Sequence, residues 1–370
     1  MSWTTRLSRG AAALALSLTA LGAYAGPYSN MYVFGDSLSD PGNDLLLTGE
    51  VPSPAYYTDG TNVGRFTNGL NYADRLAANF GLTITPAPTT ATPLPPQPTL
   101  PVINQNNYAH GGARSEYMRP ELAAYGALSF NDQINAYKNT LISSGTLADP
   151  NALYVLWIGA NDMSDALGLS LALGGDPTPV IDEITQTVGD IVTAFVTLQA
   201  FGAKNFVIGN SPDLSLTPLA HGTAAMVEAV YGIPAAGVLQ SFQNASIGFN
   251  MTLSATLPSY TAPTTSVTYF DAFALQTAMT NNPAAYGLTN VSDACYDGPV
   301  EGIPGANPAD HLCAKPSEYL YFDSEHPTAV LHDWAARTIY TQLVPEPAGW
   351  ALSLSALGLM GVFGRRRARR

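Results

Sequence analysis

Met31-Tyr32-Val33-Phe34-Gly35-Asp36-Ser37-Leu38-Ser39-Asp40-Pro41-Gly42-Asn43 sets four apolar residues directly before a polar turn punctuated by glycine and proline. The apolar run reads as a buried strand, and Gly35 marks its end. A serine placed just after such a strand, beside a glycine on a tight turn, can hold its Oγ at the carboxyl edge of a sheet. In open sheets of parallel strands that edge is where chemistry sits. Taken alone, Gly35-Asp36-Ser37-Leu38 is weak evidence and better fits a turn with an Asx or Ser cap.

The same alternation of short apolar runs and longer helical patterns continues along the chain. Further strands are expected at residues 102–104, 152–158, 205–209 and 266–270, and helices at 68–80, 130–141, 180–201, 237–257 and 328–343. Alternation of this kind predicts an α/β fold, a parallel sheet covered by helices on both faces. Three segments break the pattern. Residues 83–101, rich in Pro and Thr, read as a surface loop; 168–179 read as a loosely structured insertion, and 281–316 as a long loop.

Three more short motifs stand beside these elements. Asn107-Tyr108-Ala109-His110-Gly111-Gly112-Ala113-Arg114-Ser115 follows the second expected strand, and its paired glycines let backbone approach something closely. An ordinary strand-to-helix turn would use them too. Trp157-Ile158-Gly159-Ala160-Asn161-Asp162 closes the third strand, where an Asn can aim a side-chain N–H at a developing oxyanion or simply cap a helix. Phe322-Asp323-Ser324-Glu325-His326-Pro327-Thr328 precedes the last helix. An Asp three residues before a His can fold back to accept the Nδ1 proton, leaving Nε2 free to take a proton from serine. Each motif is weak alone; four in this order are not.

That order, Gly-Asp-Ser-Leu, Gly-Gly, Gly-x-Asn-Asp and Asp-x-x-His, resembles the SGNH or GDSL hydrolases. The extended first motif resembles the branch of GDSL lipases, esterases and acyltransferases. So do Gly64-Arg65-Phe66-Thr67-Asn68-Gly69 and Pro212-Asp213-Leu214-Ser215-Leu216-Thr217-Pro218. The resemblance covers roughly residues 30–343. It implies a three-layer α/β/α sandwich of the flavodoxin-like kind, with Ser37 as nucleophile, His326 as base and Asp323 orienting the base. It also implies an oxyanion hole made by the backbone N–H groups of Ser37 and Gly112 and the Asn161 side chain. No cofactor is implied. The Gly-x-Ser-x-Gly elbow of the α/β-hydrolase fold is absent around Ser37. Asp36 and Asp40 are competing partners for His326, with Asp323 preferred because it is local. His110 reads as a surface-loop residue, with lining the pocket beside Gly112 as the alternative, and His221, His311 and His332 as exposed or capping.

The two ends read as processing segments. Residues 1–25 carry Arg6 and Arg9, an apolar run and the small-residue end Ala23-Tyr24-Ala25, the order of a secretory signal peptide. The expected hydrolase domain spans 26–343, and 344–370 form a tail. There, Pro345-Glu346-Pro347 precedes an apolar stretch over 348–363, and five arginines follow. That stretch reaches roughly 24 Å as a helix, slightly short of the roughly 30 Å hydrocarbon core. The tail resembles the PEP-CTERM sorting signal, which implies transient membrane anchoring and cleavage by an exosortase-type protease; a plain C-terminal anchor is the alternative.

Over residues 26–347, eight Lys and Arg stand against 28 Asp and Glu, a net charge of −20 that argues against nucleic-acid partners. Cys295 and Cys313 are the two cysteines of the chain. In an oxidising compartment they are expected to form one disulfide, worth roughly 3 kcal/mol in the chain-entropy model. No metal site is expected. The expected activity is hydrolysis of acyl esters by an exported enzyme. A polysaccharide O-acetyl esterase, or a surface protein that keeps the fold without catalysis, are the alternatives.

Overall fold

A computed structural model describes residues 27–86, 106–299 and 311–344. Four strands form the central sheet: β1 (Met31–Gly35), β2 (Leu153–Trp157), β3 (Asn205–Gly209) and β4 (Ser266–Phe270), paired in that order and all parallel. Their side chains alternate between two cores, as a pleat with both faces covered requires. Val33, Val155, Trp157 and Val207 point into one core; Phe34, Tyr154, Leu156, Phe206 and Ile208 point into the other.

The strand expected at 102–104 lies outside the described residues. The backbone just after it runs along the free edge of β1. Val33 N–H donates to Asn106 O at 2.9 Å and Tyr108 N–H to Val33 O at 2.8 Å, with Asn107 bridged in parallel to Val33. Counting that segment, the spatial order is 2-1-3-4-5, the doubly wound order of flavodoxin-like sheets.

The helices are α1 (Asn43–Thr48), α2 (Tyr72–Asn79), α3 (Pro120–Ala123), α4 (Phe130–Ser144), α5 (Ala160–Ala172), α6 (Thr178–Ala200), α7 (Pro218–Tyr231), α8 (Ala235–Thr256), α9 (Ala272–Asn281) and α10 (Ala329–Leu343). One face of the sheet is covered by α4 to α8, the other by α2, α9 and α10. This is a three-layer α/β/α sandwich.

Two expectations need correction. Residues 168–179 are mostly helical, because α5 runs on to Ala172 and α6 starts at Thr178. Gly168 inside a helix costs about 1 kcal/mol, but it sits on the exposed side while Ala166, Leu167 and Ser170 are buried. The segment 281–316 holds more structure than a loop. Its β5 (Asn290–Ala294) pairs in parallel with β6 (Tyr319–Tyr321) as a second small sheet. Asn-Val-Ser-Asp-Ala has no apolar run to betray it; tertiary pairing makes it a strand. Cys295 and Cys313 are bridged beside this sheet and pack with Tyr57, Tyr296 and Phe322. Helices α7 and α9 had no expectation, although each has a capping side chain: Thr217 accepts from Ala220 N–H, and Asp271 from Ala274 N–H. Residues 1–25 and the apolar stretch of the tail lie outside the described residues. Among the described residues, no helix is long and apolar enough to cross a membrane.

Candidate active site

The turn that carries Ser37 is fixed from beneath. The Gln133 side chain, on α4, accepts from Gly35 N–H at 2.9 Å and donates to Gly35 O at 2.8 Å, holding both backbone groups at the end of β1. Ser37 Oγ then lies 2.8 Å from His326 Nε2, and His326 Nδ1 lies 2.8 Å from Asp323 Oδ2. All three side chains are buried. Asp323 and His326 share the short loop between β6 and α10. Within that loop Asp323 Oδ1 accepts the backbone N–H groups of Glu325 and His326 at 2.9 and 2.7 Å.

Electrostatics favour a charged acid and a basic imidazole. Burial works against an ionised Asp323, yet His326 and the backbone donors outweigh it and hold the carboxyl below its usual range. Burial likewise disfavours an imidazolium at His326, but the Asp323 charge and hydrogen bond outweigh it and raise the group above an ordinary histidine. Asp36 and Asp40 do other work. Asp36 accepts Leu38 N–H at 3.0 Å, and burial pushes its carboxyl up to about 7.

Asp40 organises the loop opposite the serine. Its carboxylate accepts backbone N–H groups from Gly42, Asn43, Asp44 and Gly111 at 2.7, 2.6, 3.3 and 3.0 Å. Asn43 adds donors to Asn107 O and Ala109 O at 3.1 and 2.7 Å. The trailing Asp-Pro-Gly-Asn of the first motif therefore fastens the second motif to the nucleophile turn. The paired glycines have separate reasons. Gly112 has φ +69°, in the left-handed region. Gly111 has no room, since an added Cβ would collide with the Phe66 ring and lie 2.6 Å from Asp44 Oδ2. Gly111→Ala should therefore lower stability by about 1–3 kcal/mol through overpacking, measured by thermal unfolding. An unchanged midpoint would show that Phe66 yields without cost.

Asn161 opens α5 just past β2. Its Nδ2 donates to Ala113 O at 3.0 Å, which leaves the second N–H of the amide for another acceptor. Ser37, Gly112, Asn161 and His326 line one small depression. A second cavity, of about 60 Å³, also reaches Ser37, Asn161 and His326 and is lined mainly by apolar side chains including Trp157, Leu214, Phe242, Phe270 and Leu331.

Asp40, Asp44 and His110 bring potential metal ligands within 4.8 Å of one another. The Asp40 oxygens already serve the four backbone donors, and His110 Nδ1 is bonded to Asp44 Oδ1 at 2.8 Å. His110 is thus no surface residue: it is 1% exposed, held by Asp44, and burial lowers it to about 4. His332 is buried as well and takes the capping option, its Nδ1 accepting Tyr72 N–H at the start of α2. His221 and His311 are exposed. Gln133 escaped sequence reading because its helix position looks like any polar gap in an apolar pattern.

Similarity to known proteins agrees with this geometry. The family model of the GDSL-like lipase/acylhydrolases matches residues 31–339. The esterase EstA of Pseudomonas aeruginosa is 32% identical, over 93% of this chain and 51% of that protein. The chain thus spans about half the length of the Pseudomonas esterases it matches. The phosphatidylcholine-sterol acyltransferase of Aeromonas hydrophila is 27% identical over 94% of this chain and 87% of its own length. A GDSL esterase/lipase of Arabidopsis thaliana is 26% identical over 89% of both chains. With the match running from the first strand into the last helix, and the four motifs gathered at one sheet edge, the chain belongs to the GDSL-like lipase/acylhydrolase family.

Proposed function

We propose that the protein is a serine ester hydrolase that cleaves carboxylic acyl esters through an acyl-enzyme on Ser37. The observation that carries this reading is the unbroken line from Ser37 Oγ through His326 to Asp323, facing Gly112 and Asn161 across one depression. His326 Nε2 takes the Ser37 proton as Oγ attacks the ester carbonyl, and Asp323 holds the imidazole in the tautomer that can accept it. The developing oxyanion meets the N–H groups of Ser37, Gly112 and Asn161 Nδ2, each donor worth about 3 kcal/mol of barrier. His326 then protonates the leaving alcohol, and water, deprotonated in turn, releases the acid. The chain's own groups supply every proton transfer in this scheme. The apolar lining of the cavity that reaches Ser37 favours an aliphatic acyl group over an acetylated polysaccharide.

Export is part of the proposal and draws support from the Cys295–Cys313 bridge, since disulfides persist in oxidising compartments. Removal of the tail near Pro345-Glu346-Pro347 by an exosortase-type protease is proposed from its residues alone. Hydrolysis rates over nitrophenyl esters from acetate to palmitate, beside an acetylated polysaccharide, test the reading. Turnover of the polysaccharide alone would replace it with the O-acetyl esterase.

The pH dependence has a definite sign. Only neutral His326 can accept the serine proton, and Asp323 raises the pKa of His326 above the ordinary value near 6.5. kcat/KM should therefore fall as pH falls through a pKa above about 6.5, and the active plateau should lie on the alkaline side. A limb centred below pH 6, measured on a soluble ester, would contradict this assignment of the base.

A further inference from the structure

The Asp323 carboxylate is completely buried and meets four donors. Three come from its own loop: the backbone N–H groups of Glu325 and His326, and the His326 ring. The fourth comes from a residue 266 positions away in sequence. Tyr57 Oη donates to Asp323 Oδ2 at 2.8 Å, the same oxygen that meets His326 Nδ1. Tyr57 is itself fully buried. Burial and the Asp323 charge keep its phenol protonated, so the hydrogen bond runs one way, from tyrosine to carboxylate.

The ring that presents this hydroxyl is locked. It meets Phe322 edge-on at 4.9 Å and Tyr296 at 5.8 Å, within the cluster that packs on the Cys295–Cys313 bridge. Its backbone N–H donates to Ser53 O at 2.9 Å. The disulfide, the aromatic cluster, Tyr57 and Asp323 form one contiguous block behind the imidazole.

We propose that Tyr57 is a positioning residue of the catalytic site, fixing Asp323 and sharing the oxygen that His326 uses, so that the carboxylate pulls less strongly on the imidazole. The physical reason is competition for one oxygen. A phenol donating to Oδ2 withdraws charge from it, and His326 then gives up its proton more readily. Without the hydroxyl, Oδ2 keeps more charge and grips the imidazolium harder, while the carboxylate loses one of its four anchors. The inference rests on reading Asp323 as the residue that orients the base. Other groups facing His326 are Asp36 from the nucleophile turn, Glu325 from its own loop, His332 from α10 and Arg119 across the small depression. Tyr296 and Glu325 face Tyr57.

The test compares Tyr57→Phe, Asp323→Asn and Tyr56→Phe in the full chain on a soluble nitrophenyl ester. Active sites are counted with a fluorophosphonate probe. Tyr57→Phe should lower kcat per labelled site about tenfold and move the acid limb of kcat/KM upward by roughly one pH unit, the scale of a hydrogen bond to a charged group. Tyr56 stacks on Tyr296 in the same cluster without reaching Asp323, so Tyr56→Phe should leave the limb in place. Difluorotyrosine at position 57, a stronger donor of the same shape, should move the limb downward. Loss of thermal stability in Tyr57→Phe with an unmoved limb would make Tyr57 structural only and overturn the proposal. If Asp323→Asn itself keeps wild-type kcat, the triad reading fails first, and the two failures are told apart.

Discussion

Replacing Ser37 with Ala abolishes ester hydrolysis, with an expected loss of roughly a millionfold in kcat, the scale seen when a serine nucleophile is removed. The fold should survive, since the hydroxyl's hydrogen bond is to His326, which keeps Asp323. Ser39 is no substitute two residues on: it is fully buried, and its Oγ is bonded to Tyr72 Oη at 2.8 Å. A fluorophosphonate probe should label the wild-type chain at Ser37 and leave Ser37→Ala unlabelled, with thermal unfolding checking that both are folded. Peptide mapping that places the label on another serine would overturn the nucleophile.

The expected outcome follows from how the sheet presents its edge. β1 delivers Ser37, the segment beside it delivers Gly112, and β2 delivers Asn161; these are neighbouring chains ending at the same height. Three motifs far apart in sequence thus converge because parallel strands share a carboxyl end. The fourth motif arrives from the opposite end of the chain, where β6 and α10 return over the sheet face that holds α2.

This convergence explains what was legible in the sequence. The strand at 152–158 is marked by a continuous apolar run that β2 occupies, and β3 and β4 occupy the shorter strand patterns at 205–209 and 266–270. Asp323 and His326 were readable because three of the four donors to that carboxylate lie within three residues of it. What stayed hidden depends on long-range contact. Tyr57, Gln133 and Asp44 carry no local signal of their partners, nor does His110 within the second motif, and only the folded chain brings each to its target. A histidine with no local partner reads as a surface residue; His110 is buried because Asp44, 66 positions earlier, supplies the bond. β5 was missed for a related reason, since half-exposed polar strands have no periodic signal of their own.

Asn161→Ala separates transition-state binding from ordinary substrate binding, and it carries the second largest expected effect. The side chain opens α5 with one N–H spent on Ala113 O, so its orientation is set before any ester arrives. The other N–H has no ground-state task of comparable strength, because a neutral ester carbonyl is a weaker acceptor than the oxyanion it becomes. Removing the amide should therefore cost a hundredfold to a thousandfold in kcat, about 3–4 kcal/mol, with little change in KM. The Ala113 bond offers a rival explanation, since its loss could let the loop bearing Gly112 drift. That loop keeps other anchors: Gly111 N–H on Asp40 at 3.0 Å, Gly112 O on Arg114 at 2.5 Å and Ser115 N–H on Asp162 at 2.8 Å. With three anchors left the loop should hold, and Asn161→Ala should still react with the fluorophosphonate probe, more slowly than wild type. A raised KM with kcat preserved would instead make Asn161 a substrate-binding residue and leave the oxyanion to the two backbone donors.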